Sequence, residues 1–277
     1  MSILPISILR KDKTLRSSTF LSVLSAGGIL YSCTVGAAPV SPMVNTQWGT
    51  FPWGSYTINN SVYNPPNGKY NPADAGNTQS IGKYLNGWGV QWKYSSPMQA
   101  PASFGSAYRG WHWGGYSPDK GGFPVKVKDN AMMPTSVSFS AAGPKYDVAY
   151  DMFFSANPKP GGSNPQGEVM VWLKYTGNPR PAGSLIAHGI TLGNNAPGSY
   201  DVWYKGNTGK PSWPVISYIR RDQQVATSMD LQPFFWWAAN RKNWIPQTDY
   251  ILGIEFGIEP YEGSGSLGVT KYKASAY

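Results

Sequence analysis

The residues of this chain whose types and spacing could do chemistry are carboxylates set inside strand-like runs. In GEVMVWLKY (167–175) a single Glu stands among Val, Met, Trp and Leu. Successive strand side chains point to opposite faces, so Val169, Val171 and Leu173 share one face and Glu168, Met170 and Trp172 the other. In YILGIEFGIEPYEG (250–263), Leu252, Ile254, Phe256 and Ile258 line one face, while Gly253, Glu255, Gly257 and Glu259 line the other. Glycines on that second face are expected to leave open space for a bound chain. A third run, YDVAYDMFFS (146–155), puts Asp147, Ala149, Asp151 and Phe153 on its polar face. A Glu on a strand is ordinarily a solvated outer-face residue. Two of them beside Trp, Met and Gly, away from the main core face, point instead to a cleft. Paired carboxylates across a cleft suit glycoside hydrolysis: one acts as acid on the departing oxygen, and the other attacks the anomeric carbon or activates water.

Such carboxylates need rigid strands, and the chain provides them. From Val44 onward Pro and Gly punctuate short β-like runs, with no repeat at a fixed period and no linker of low complexity. Many short strands bounded by turn signals predict an all-β fold, a sandwich, jelly roll or barrel. DLQPFFWWAANRKNWI (230–245) breaks the rhythm and predicts one helix packed on the β body, with Asp230 as N-cap and Pro233 tolerable in the first turn.

Composition narrows the partners. The 277 residues include 12 Trp and 18 Tyr but only 13% charged residues. Aromatics commonly fill cores, yet such a surplus also suits stacking on the apolar faces of sugar rings. The formal net charge of +9 falls to +6 without residues 1–37, and the remaining Lys and Arg are scattered without a run, which disfavours nucleic acid. Arg10, Lys11, Lys13 and Arg16 precede the mostly apolar segment 19–37, the order of a secretory signal cleaved near Ala37. Residues 30–33, LYSC, read alternatively as a lipid-attachment box at Cys33. Removal of 1–37 would leave 38–277 as one domain with no thiol and no membrane segment. The two histidines, His112 and His188, are too few and too isolated for a structural metal site, and no cofactor is expected.

Taken together, these segments resemble glycoside hydrolase family 12, the small β-jelly-roll endoglucanases and xyloglucanases. GEVMVWLKY is similar to the family's Glu-x-Met-x-Trp nucleophile strand, and FGIEPYEGSG to its acid/base strand. The separation of Asp151 and Glu168, along with SYDVWYKG, GWHWGGY and YTINNSVYN, also fits the family's order. The resemblance covers residue 55 to the C-terminus. It implies a jelly-roll sandwich of two curved antiparallel sheets with one packed helix and an open cleft. It also implies Glu168 as nucleophile, Glu259 as general acid/base and Asp151 as a hydrogen-bonding neighbour of the nucleophile. Met170 and Trp172 would floor the cleft, and His112 with Trp111 or Trp113 would lie along the groove.

The chain departs from the family pattern in two places. Asn60, Ser61, Val62, Tyr63 and Asn64 stand where the family reads Asn-Asn-x-Trp-Gly, so Tyr63 would stack on a glucosyl ring with less area than Trp. Ile258 replaces a common Thr on the apolar face. Glu255 shares the face of Glu259 and would raise its pKa if close enough. Asp147, Glu262 and His188 carry no functional expectation. The resemblance implies a secreted, monomeric enzyme acting on cellulose-type glucan, mixed-linkage glucan or xyloglucan with retention. A secreted β-sandwich that binds glucans without cleaving them is the alternative.

Overall fold

The computed structural model describes residues 43–277, so the apolar segment 19–37 and Cys33 lie outside the described residues. Sixteen strands follow one another: β1 (Thr50–Trp53), β2 (Tyr56–Asn59), β3 (Asn77–Tyr84), β4 (Gly87–Tyr94), β5 (Gly105–His112), β6 (Gly115–Tyr116), β7 (Val125–Lys126) and β8 (Pro134–Ala142) in the first half. β9 (Lys145–Ser155), β10 (Gly167–Thr176), β11 (Ser184–Ile190), β12 (Tyr200–Lys205), β13 (Val215–Arg220) and β14 (Ala226–Asp230) lead to helix α1 (Gln232–Lys242). β15 (Tyr250–Ile251) and β16 (Gly253–Ala274) complete the chain.

The 22-residue β16 joins two sheets. Its first part pairs with β5 and β9 in a sheet ordered β1-β2-β5-β16-β9-β10-β13-β12-β11. Its second part pairs with β4 and β8 in a sheet that also holds β3 and β14. Gly263, at the point of passage, has φ +68°, a backbone turn that a residue with a Cβ would resist. All pairings are antiparallel except β10 with β13, which run parallel.

Strand periodicity sets the core. Val169, Val171, Leu173, Ile254, Phe256 and Ile258 are fully buried in one large cluster with Trp88, Tyr150 and Tyr218. α1 adds Phe234, Phe235, Ala238 and Ala239 to that cluster, and Tyr218 Oη donates to the Phe234 carbonyl at 2.8 Å. Leu231 is the N-cap residue. Asp230 Oδ1 caps from one position earlier by accepting the Gln232 N–H at 2.9 Å. Leu252 leaves the face expected of it, because the chain breaks pairing between β15 and β16; it packs with Trp111 and Phe153 on the other side.

Candidate active site

Register brings the carboxylates together. Glu168 on β10 lies opposite Phe153, and Met170 opposite Asp151, on β9. Across the other edge of β9, Glu255 lies opposite Asp151, Gly257 opposite Ala149 and Glu259 opposite Asp147. Directly opposed residues of a strand pair share a face. Glu168, Met170, Trp172, Asp147, Asp151, Glu255 and Glu259 therefore share one face of the sheet, the side away from Val169 and Ile258. Gly257 serves this face by closeness and not by open space. A Cβ there would stand 2.5 Å from the Gly105 carbonyl and 2.8 Å from Ser106 Cβ.

Glu168 is 8% exposed. The Trp213 indole N–H donates to its Oε2 at 2.7 Å, and no hydrogen bond falls on Oε1 among the described residues. Burial pushes its carboxyl up to about 7, against the pull of the Trp213 donor and the Lys205 charge. Neither Trp213 nor Lys205 stood out in the sequence, since both belong to a loop and a strand end without periodic pattern.

Glu259, also 8% exposed, sits in different company. Tyr63 Oη donates to Oε1 at 2.7 Å. Burial again lifts the carboxyl to about 7; Tyr63 and Asp147 act against the rise, and the charge on Glu168 adds to it. Tyr63 is 44% exposed, but its hydroxyl turns inward to the carboxylate, so it is a donor to Glu259. Asp147, which carried no functional expectation, is fully buried and lies opposite Glu259. Burial and the neighbouring Glu259 raise its carboxyl well above the usual range, while Tyr261 Oη approaches its Oδ2 at 3.5 Å.

Asp151 lies diagonally from Glu168 and beside Glu255. Burial first, then the charges of Glu168, Glu255 and Glu259, raise it well above the carboxylate range. Its Oδ1 has no hydrogen-bond partner among the described residues, and the donor that Glu168 accepts from is Trp213. Glu255 accepts from Ser106 Oγ at 2.8 Å and meets His112 Nδ1 at 2.5 Å. The tautomer of His112 follows from its other side. Asn59 Oδ1 accepts the Ser61 N–H, which turns Asn59 Nδ2 toward His112 Nε2 at 2.7 Å. Nε2 must then accept, and Nδ1 carries the proton given to Glu255. His112 is thus a spacer that orients Glu255.

The aromatic expectations divide. Trp113, 36% exposed at φ +39°, offers its ring to the surface. Trp111, 1% exposed, stacks behind it with centroids 5.3 Å apart and donates to the Gly161 carbonyl. Phe153 meets Trp113 edge-on at 4.8 Å. Met170 and Trp172, on the face of Glu168, are buried in a cluster with Ala149, Val215 and Ile219, against which Trp213 packs. His188 is exposed on the edge strand β11 beside Asp201. Among the described residues no group of three or more His, Cys, Asp or Glu side chains could hold a metal ion.

A β-sandwich carrying buried paired carboxyls beside an aromatic wall defines a polysaccharide-directed glycoside hydrolase. Residues 54–276 match the family described as "Glycosyl hydrolase family 12", and the chain belongs to that family. It is a glycoside hydrolase of the endo-β-1,4-glucanase class. It is 28% identical to Endoglucanase S of Pectobacterium parmentieri over 189 residues, 68% of this chain and 70% of that one. It is 31% identical over 240 residues to a Phytophthora nicotianae protein named "Inactive glycoside hydrolase XLP1", covering 83% of this chain and 90% of that one. The solved family 12 xyloglucanase from Bacillus licheniformis in complex with ligand superposes with TM-score 0.75 at 25% identity, over 86% of this chain and all of that one.

Proposed function

We propose that the protein cleaves internal β-1,4-glucosidic bonds of soluble or amorphous β-glucan with retention of configuration. Glu168 attacks C1 through its unbonded Oε1 while Glu259 delivers a proton to the leaving oxygen. Water then hydrolyses the glycosyl-enzyme as Glu259 takes back a proton. The observation that carries this division is the contrast in surroundings. Glu168 faces the Lys205 cation and the Trp213 donor, which favour its anion. Glu259 also has a donor, Tyr63, but no cation is among the groups that shift it, and the charge of Glu168 raises it further. Two carboxyls whose surroundings differ in this sense are suited to opposite roles.

The test follows the anomeric proton by NMR during cleavage of a soluble β-glucan. A β product formed first, before mutarotation, is expected; an α product would sink the retaining course. Glu168→Gln should lower turnover by a factor on the order of 10⁴ with unchanged thermal stability at acid pH.

A second reading, a glucan binder that does not cleave, is favoured by the relative named inactive. Reducing-end assays on carboxymethylcellulose, mixed-linkage β-glucan and xyloglucan separate the two, since release from none of them supports the binder. The same assays rank the substrates. We also read residues 1–37 as an export segment and the mature chain as a secreted monomer. Among the described residues no helix is long and apolar enough to cross a membrane. Mass spectrometry of the exported protein tests the first point by its N-terminus, and also tests lipid at Cys33.

A further inference from the structure

The loop 206–213 has no regular structure, and no backbone–backbone hydrogen bond among the described residues ties it to the body. Side chains do. Lys205, the last residue of β12, lies opposite Val215, which in turn pairs with Glu168, so the three stand in a row across adjacent strands. Its Nζ donates to the carbonyls of Gly206 at 2.9 Å, Pro211 at 2.5 Å and Trp213 at 3.2 Å. An ammonium has three donors, and all three are taken up by this one loop. The loop ends at Trp213, whose indole N–H reaches Glu168 Oε2 and whose ring stands 6.4 Å from that of Trp113.

We infer that Lys205 is a positioning residue that winds the 206–213 loop around its ammonium and so delivers the Trp213 N–H to one oxygen of Glu168, leaving the other aimed at C1. The inference rests on the reading of Glu168 as nucleophile. In the first step the C1–Oε1 bond forms as the C1–O bond to the leaving sugar breaks, with the Glu259 proton passing to that oxygen. Oε2 becomes the ester carbonyl and keeps its indole donor. In the second step water oxygen bonds C1, its proton passes to Glu259, and the C1–Oε1 electron pair returns to the carboxylate. Charge then builds again on oxygens facing Trp213 and Lys205, and a donor already in place there stabilises the transition state more than the ester. Trp213 thus assists departure of the carboxylate in the hydrolytic step and keeps it ionised before the first. The other ionisable groups facing Glu168 are Asp151 on β9, Glu255 and Glu259 on β16, and Tyr63. Asp151, Glu255 and Glu259 offer negative charge only, so among the described residues Lys205 is the one cation acting on Glu168.

The experiment is the pH profile of kcat/KM on an aryl β-cellobioside for Trp213→Phe, Lys205→Met and Lys205→Arg, each checked for folding by thermal melt. Trp213→Phe keeps the ring and removes the N–H. Its acid limb should rise by about one pH unit, a roughly tenfold change in ionisation. It should also show a burst of aryl alcohol, because hydrolysis of the glycosyl-enzyme has slowed. Lys205→Met should move the limb in the same direction by at least as much, and Lys205→Arg, which keeps charge and donors, should restore most of it. A folded Trp213→Phe with an unmoved acid limb and no burst overturns the inference. So does a Lys205→Met variant matching the wild type. Failure of the nucleophile reading shows separately: Glu168→Gly, supplied with azide, would then yield no α-glycosyl azide, whatever the loop variants do.

Discussion

Asp147 and Glu259 face each other on adjacent strands, two buried carboxyls at directly opposed positions of β9 and β16. Carboxyls in contact hydrogen-bond only when one carries a proton, and Asp147 is raised well above its ordinary value by burial and by Glu259. A protonated Asp147 donates to Glu259 and leaves the proton of Glu259 free for the leaving oxygen. Once Asp147 ionises, it draws that proton toward itself and away from the substrate.

Asn has the shape of a protonated Asp and donates at every pH. Asp147→Asn is therefore expected to keep activity near that of wild type below neutrality and, because an amide donor favours the Glu259 anion as the protonated Asp147 does, to leave the alkaline limb of kcat/KM in place or move it down. The profile on a soluble β-glucan checks this, and a limb that moves up would show that ionisation of Asp147 is what closes activity at high pH.

Buried carboxyls also link stability to pH. Glu168 and Glu259 titrate near 7 in the folded state against an ordinary 4.5. Between those values the folded protein holds protons that the unfolded chain has released. Stability is therefore greatest below about 4.5, falls as pH rises to about 7, and levels off above. Asp147 and Asp151 shift in the same direction. Melting curves should show Tm dropping across this window. Glu168→Gln and Glu259→Gln, neutral throughout, should each flatten the drop and melt higher than wild type at neutral pH.

The two neighbouring tryptophans should answer truncation differently. Trp113 presents its ring to the surface, so Trp113→Ala is expected to raise KM roughly 3- to 10-fold with a smaller effect on kcat. Trp111 is buried between Trp113, Phe153 and Leu252, so Trp111→Ala should cost about 3–5 kcal/mol of stability. Urea unfolding alongside initial-rate kinetics separates the two effects.

The period-two pattern made the faces of Glu168 and Glu259 legible, because a strand buried on one side allows only one assignment of its alternate residues. What lies beside them depends on register between strands distant in sequence, and no local pattern sets that. Asp147 looked like any strand Asp until β9 and β16 were aligned. Trp213 gave no signal because a loop has no period. Gly257 was visible as a small residue, but a glycine reads the same whether it leaves room for a ligand or yields to a neighbouring backbone. The edge strand β11 carries no such pattern, because most of its residues are exposed. Its sequence therefore lacks the buried alternation by which a strand is recognised.

Tyr63 illustrates how a family position changes its chemistry with the residue that fills it. Its hydroxyl donates to Glu259 Oε1 and so favours the anion of that carboxyl. Tyr63→Phe keeps the ring and removes the donor. With burial then less opposed, Glu259 should hold its proton to higher pH, and the alkaline limb of kcat/KM should rise by about half to one pH unit. The same change leaves less of Glu259 ionised after the first step, when it must accept a proton from water. Tyr63→Phe should therefore slow turnover of substrates with good leaving groups, for which hydrolysis of the glycosyl-enzyme limits the rate, more than it slows cleavage of the natural polymer. A uniform loss on both substrate classes, with the limb unmoved, would assign Tyr63 to sugar stacking alone.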